Sequence, residues 1–216
     1  PFQCEIGPVE FRKKSKLGAR QIAAIREQVR DRAERYLEIE SFLNIQSAFV
    51  NPLEGWIIRE GEQVEEAVEY LREAWKLGLN ALPSVVDMLE DKEVKVIELK
   101  ADNGFDGLSG WANSHIPVIV LNQEFSLERK RFTALHELAH LMLVFEKALS
   151  GKEREGLCHR FAGAMLIPRE TFFREFGEKR SNISIAELIP LREEYGISIQ
   201  ALMRRAYDLR VVSDSA

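Results

Sequence analysis

The sequence predicts an α+β fold in which a small, mostly antiparallel three-stranded sheet packs on one central helix, with further helices on the N- and C-terminal sides. Three observations carry this. Apolar residues recur at spacings of three and four over 19–38, 63–77 and 153–166, the period of an amphipathic helix. The pattern changes to that of strands at Val94–Leu99 and Ile116–Leu121, both flanked by turn residues. Between strands and C-terminal helices, residues 132–143 form a long apolar run that no Gly or Pro interrupts.

Residues 1–17 read as a short extended arm around Gly7-Pro8. From Ala19, the stripe Ile22, Ile25, Val29, Ala33, Tyr36, Leu37 makes one helical face, and Arg26, Glu27, Arg30, Asp31, Glu34, Arg35 and Glu38 crowd the other. Residues 44–61 read as a loop carrying the apolar cluster Trp56-Ile57-Ile58. Residues 1–60 are therefore expected to form a connector or regulatory layer, and 61–216 the main domain with the C-terminal helices. A short helix from Pro83 to Glu90 uses proline where a first turn tolerates it. Phe105–Ala112 is a strand weakened by glycine, and short helices follow at 169–176, 184–195 and 198–209.

Composition sets outer limits. With 216 residues, 45% hydrophobic and 30% charged, the chain suits a globular domain with a helical extension. A net charge of -5 gives no basic footprint, so direct nucleic-acid binding is not expected. No apolar run approaches membrane-spanning length, and no basic-then-apolar signal opens the chain. The two cysteines, Cys4 and Cys158, do not make a disulfide framework, which fits a reducing compartment, and a cytoplasmic location is expected.

The chemistry concentrates in the central run, which contains His136-Glu137-Leu-Ala-His140. Residues i and i+4 of a helix share a face, so the two imidazoles can serve one metal ion, while Glu137 stands beside that ion as a base. A chance His-Glu-x-x-His in such a chain has odds of about one in a hundred, and two histidines on an apolar helix would otherwise carry polar nitrogens into the core. The pattern calls for one zinc ion per chain. A catalytic zinc takes three protein ligands. Glu155, on the following helix, is the leading third candidate, with His159 and Cys158 as alternatives. His159 also suits a role orienting a ligand from behind. His115, before the Ile116 strand, is a candidate donor to a developing oxyanion, as are Tyr195 and Tyr207. Gly110 and Trp111 mark an edge against which a substrate peptide could lie as an added strand.

Together, Pro117-Val-Ile-Val-Leu-Asn122, Glu128-Arg-x-x-Phe132-Thr-x-x-His136-Glu-x-x-His140 and Glu155-x-x-Cys158-His-Arg-Phe161-Ala-Gly-Ala-Met-Leu-Ile-Pro168 resemble the ImmA/IrrE metallopeptidases. The resemblance covers 85–168 and continues more weakly to Leu202. It implies a zincin-like fold, with His136, His140 and Glu155 as ligands and Glu137 as general base. The implied activity is zinc-dependent cleavage of a helix-turn-helix repressor that relieves repression, in stress response or mobile-element control. The alternative is a regulatory sensor that keeps the architecture without turnover. Relatives often carry Asn or Asp at the position of His159, so its role is the least fixed. Val9–Leu17 and the charged helix after it resemble the connector of relatives that carry an XRE-type helix-turn-helix, which makes such a protein the expected partner, fused or separate. Self-association through the N-terminal helix is a further expectation.

Overall fold

In a computed structural model the described residues are 18–45 and 48–212; the expected arm at 1–17 lies outside them. Two compact units divide the chain. One takes residues up to Val50 and Ser84–Ser126, the other Asn51–Pro83 and Leu127 onward.

The first unit is α1 (Ala19–Phe42), α3 (Val85–Asp91) and the strands β2 (Lys95–Leu99), β3 (Gly107–Ala112) and β4 (Ile116–Asn122). The sheet order is β2-β4-β3. β3 pairs antiparallel with β4, from Gly107 opposite Leu121 to Ala112 opposite Ile116. β2 pairs parallel with β4, from Lys95 opposite Val118 to Leu99 opposite Asn122. The sheet is three-stranded as the strand periods imply, but it is mixed, with one pairing of each kind. Asn113 and Ser114, at φ 50° and 67°, turn the chain sharply between β3 and β4, the left-handed geometry of tight hairpin turns.

Four of the six α1 stripe residues are buried and two, Ile22 and Tyr36, are partly so. Ile25, Val29, Ala33 and Leu37 pack with Ile97, Leu99, Leu108, Ala112, Val118 and Val120, one face of the sheet. At the helix end, the Lys95 ammonium donates to Glu40 (2.6 Å) and Glu93 (3.1 Å) and lies over the Tyr36 ring. Asn122, fully buried, donates to the carbonyls of Ala101 and Phe105 and fixes the 100–106 loop.

The second unit is β1 (Ile57–Ile58), α2 (Gly61–Ala74), α4 (Leu127–Met142), β5 (Val144–Phe145), α5 (Gly151–Leu166), α6 (Arg169–Phe176), α7 (Ile185–Tyr195) and α8 (Ile199–Asp208). β1 and β5 form a two-residue parallel ladder, with β1 inside the stretch 44–61 that the sequence reads as loop. The serines before α5, α7 and α8 act as N-caps: Ser150, Ser184 and Ser198 each accept the amide of the third helical residue. α5 packs on α4 and α2, and α8 packs on α5.

Three buried arginines organise this unit. Arg72 donates to the carbonyls of Gly78, Asn80 and Met165, and burial pushes its guanidinium down to about 10, still charged near neutrality. Arg205 and Glu65, each 1% exposed, form a two-pronged ion pair at 2.5 and 2.7 Å, joined by Arg160 at 2.6 Å. Arg131, on α4, donates to the carbonyls of Leu82, Pro83 and Tyr195.

Gly196 makes the Arg131 arrangement possible. It ends α7 in the left-handed region, at φ 58°, and a Cβ there would lie 2.6 Å from Arg131 Nε. Gly196→Ala therefore meets both backbone strain and a displaced buried cation. The left-handed penalty alone is about 1–2 kcal/mol, and an unfolding free energy lowered by at least that much, seen as a lower denaturant midpoint, is expected. An unchanged midpoint would show that neither constraint operates.

Candidate metal centre

α4 contributes His136, Glu137 and His140, and α5 contributes Glu155, Cys158 and His159. Helical spacing puts His136 and His140 on one face, their rings edge-on with centroids 4.8 Å apart and Nε2 atoms 3.0 Å apart. The Glu155 carboxylate closes the group from the neighbouring helix: Oε1 lies 3.2 Å from His140 Nε2, and Oε2 lies 3.5 Å from His136 Nε2. Two imidazole nitrogens this close need a proton or a cation between them, and a carboxylate aimed at the same point favours the cation. For bonds of about 2.0–2.1 Å, a tetrahedral site separates its donor atoms by about 3.3 Å. Separations of 3.0, 3.2 and 3.5 Å fit that requirement.

Cys158 also belongs to the neighbourhood. His136, His140 and Cys158 each place a donor atom within 4.8 Å of the others, a grouping that could hold a metal. The sulfur, however, approaches His140 from the opposite ring edge, 3.8 Å from Nδ1. The two Nε2 atoms and the Glu155 oxygens face one another, and Cys158 stands behind that set.

The surroundings are dry on one side and open on the other. His136 is wholly buried and Glu137 is 2% exposed, whereas the side chains of His140 and Glu155 keep 17% and 28% of their surface. Solvent therefore meets the group along the His140–Glu155 edge. The His159 ring lies against His136, centroids 4.5 Å apart, and is stacked with Phe132 at 6.0 Å.

The remaining sequence candidates stand elsewhere. His115, exposed at the β3–β4 turn, has Nδ1 2.6 Å from the Asn113 carbonyl. Gly110 and Trp111 lie on β3, an edge of the three-stranded sheet, and Trp111 meets Phe49 edge-on. All three residues belong to the first unit, whereas the histidine pair belongs to the second. Tyr195 is buried and its carbonyl accepts from Arg131; Tyr207 is exposed beneath the Arg204 guanidinium.

Buried Arg205 escapes a reading by charge, since cations read as solvated. The signal was present: Leu202, Arg205 and Ala206 share one helical face.

No helix among the described residues is long and apolar enough to cross a membrane. No curated protein matches the chain. Among solved structures, a Mycobacterium tuberculosis transcriptional regulator superposes with a TM-score of 0.50 at 16% identity, covering 67% of this chain and 46% of that one. The likeness is one of fold, and this chain spans less than half of that regulator's length. A peptidase family model, described as the IrrE N-terminal-like domain, matches residues 89–207, more than half of the chain and including every residue of the histidine–carboxylate group. The chain belongs to the family of the IrrE N-terminal-like domain.

Proposed function

We propose that this protein is a zinc-dependent endopeptidase of the cytoplasm that cleaves a helix-turn-helix transcriptional repressor and so relieves repression, in stress response or mobile-element control. The observation that carries the proposal is the convergence of both Nε2 atoms and the Glu155 carboxylate on one point, beside a buried second carboxylate. His136, His140 and Glu155 would hold the ion. When bound, zinc supplies Lewis acidity, polarising the scissile carbonyl and easing loss of a proton from water.

The chain's own residues do the rest. Glu137 accepts the proton of the attacking water and returns it to the leaving amine, acting first as base and then as acid. Burial of Glu137 keeps that proton from exchanging freely with solvent. His159 packs against His136 and restrains its ring. The regulatory context has support in the fold shared with a transcriptional regulator, and the substrate class follows from the sequence resemblance.

The deciding experiment incubates zinc-loaded protein with purified helix-turn-helix repressors, with and without a chelator, and follows the products by mass spectrometry. Discrete fragments that vanish with chelator are the expected result. Intact repressor held in a stable complex would favour a sensor that binds without turnover.

A further inference from the structure

We infer that Cys158 is a positioning residue for the metal centre: its sulfur receives the Nδ1–H of His140 and so keeps the Nε2 lone pair of that ring turned toward the ion. The inference rests on the zinc reading above. Three observations support it.

First, Cys158 lies one helical turn beyond Glu155, so the two side chains leave α5 on the same face. α5 thereby grips the His140 imidazole at both edges, with Glu155 Oε1 3.2 Å from Nε2 and Cys158 Sγ 3.8 Å from Nδ1. Second, a neutral imidazole carries its proton on one nitrogen only. If Nε2 is to offer a lone pair to a cation, the proton must reside on Nδ1, the nitrogen that faces the sulfur. Third, Cys158 is fully buried, so water does not compete for that proton at the sulfur.

Ligating histidines ordinarily pass their second N–H to a carboxylate, a carbonyl or water. A thiol is a weaker and more diffuse acceptor. Such a partner fixes the tautomer without adding negative charge, which leaves Glu155 as the anionic member of the set. The competing explanation is packing: a buried free cysteine usually behaves as a small apolar residue. The two roles part at substitution. Alanine keeps a small apolar filler and loses the acceptor; serine keeps an acceptor and introduces polarity.

The test uses the full chain in four forms: wild type, Cys158→Ala, Cys158→Ser and His140→Ala. Zinc affinity is measured by competition with a chromogenic chelator. Nitrogen NMR of histidine-labelled, zinc-loaded wild type reports the His140 tautomer, a readout that needs no variant to fold. The expected results are a protonated Nδ1 in wild type, zinc affinity about 10–100-fold weaker in Cys158→Ala, and recovery of most of that loss in Cys158→Ser. Three outcomes would overturn the inference: alanine binding zinc as tightly as wild type, serine binding worse than alanine, or a metallated Nδ1. A thiolate-to-cobalt charge-transfer band in the cobalt-loaded wild type would also overturn it, by making Cys158 a ligand. If wild type binds zinc no better than His140→Ala, the zinc reading itself falls and takes the inference with it; failure at Cys158 alone leaves that reading standing.

Discussion

Exchanging Glu137 for glutamine is expected to lower peptide cleavage by about 10²–10⁴-fold, the contribution general acid–base catalysis typically makes, while the zinc content stays at the wild-type level. Glutamine preserves the shape of the side chain in a pocket where the native residue is 2% exposed. What it removes is the oxygen that can take a proton from water and hand it on. Because Glu137 is one position past His136, its side chain leaves α4 in a different direction from the Nε2 pair. The effect should therefore fall on kcat with little change in KM. Single-turnover cleavage and metal analysis of the same preparation check both halves. Metal loss in Glu137→Gln matching that of His140→Ala would make Glu137 a ligand and refute its role as base.

The second large effect concerns the interior of the second unit. Glu65→Ala is expected to destabilise the protein by about 3–5 kcal/mol, the usual cost of removing one partner from a buried ion pair. The loss strands two cations: Arg205, 1% exposed, and Arg160, which shares the same carboxylate. Urea unfolding should show a lower midpoint with an unchanged slope. The pair also sets a pH dependence. Burial alone would raise the Glu65 carboxyl, but Arg205 and then Arg160 outweigh it and hold the group below its ordinary 4.5. A depressed native value means that the ionised form contributes stability at every pH above 4.5 and loses that contribution as pH falls through the native value. Wild type should therefore lose stability on acidification below 4.5 more steeply than Glu65→Gln, whose amide does not titrate. Parallel pH profiles would show that the pair contributes nothing to acid sensitivity.

Much of this architecture was legible in the residues. Helix spans came through because apolar spacing is enough to show them; the structure adds the capping boxes, Ser150 with Glu153 and Ser184 with Glu187, that mark the starts of α5 and α7. The His136–His140 spacing required only that α4 be a helix, and its unbroken apolar run ensured that. The distance from Glu155 to the two rings depends on how α4 and α5 cross, which spacing along the chain leaves open. The β1–β5 ladder was illegible for a simpler reason: two residues per strand, Ile57-Ile58 and Val144-Phe145, are too few to show a period. Parallel pairing of β2 with β4 was hidden as well, because the intervening β3 takes the outer position and adjacency in sequence suggests a meander. The apolar stripe of α1 was plain in the sequence, and its place on the sheet face alongside Ile97 and Val118 is what the structure adds.

The salt link between Glu65 and Arg205 spans 140 positions, and this bears on how the protein is born. A ribosome releases Glu65 long before Arg205 exists. Until α8 emerges, the Glu65 carboxylate of α2 has Arg160 as its cationic partner and lacks the two-pronged Arg205 pair that completes its burial. The helices that carry His136, His140 and Glu155 are all made inside that interval. A nascent chain halted before residue 205 would hold every proposed zinc ligand on an unfinished scaffold, so α8 closes the unit that carries the site.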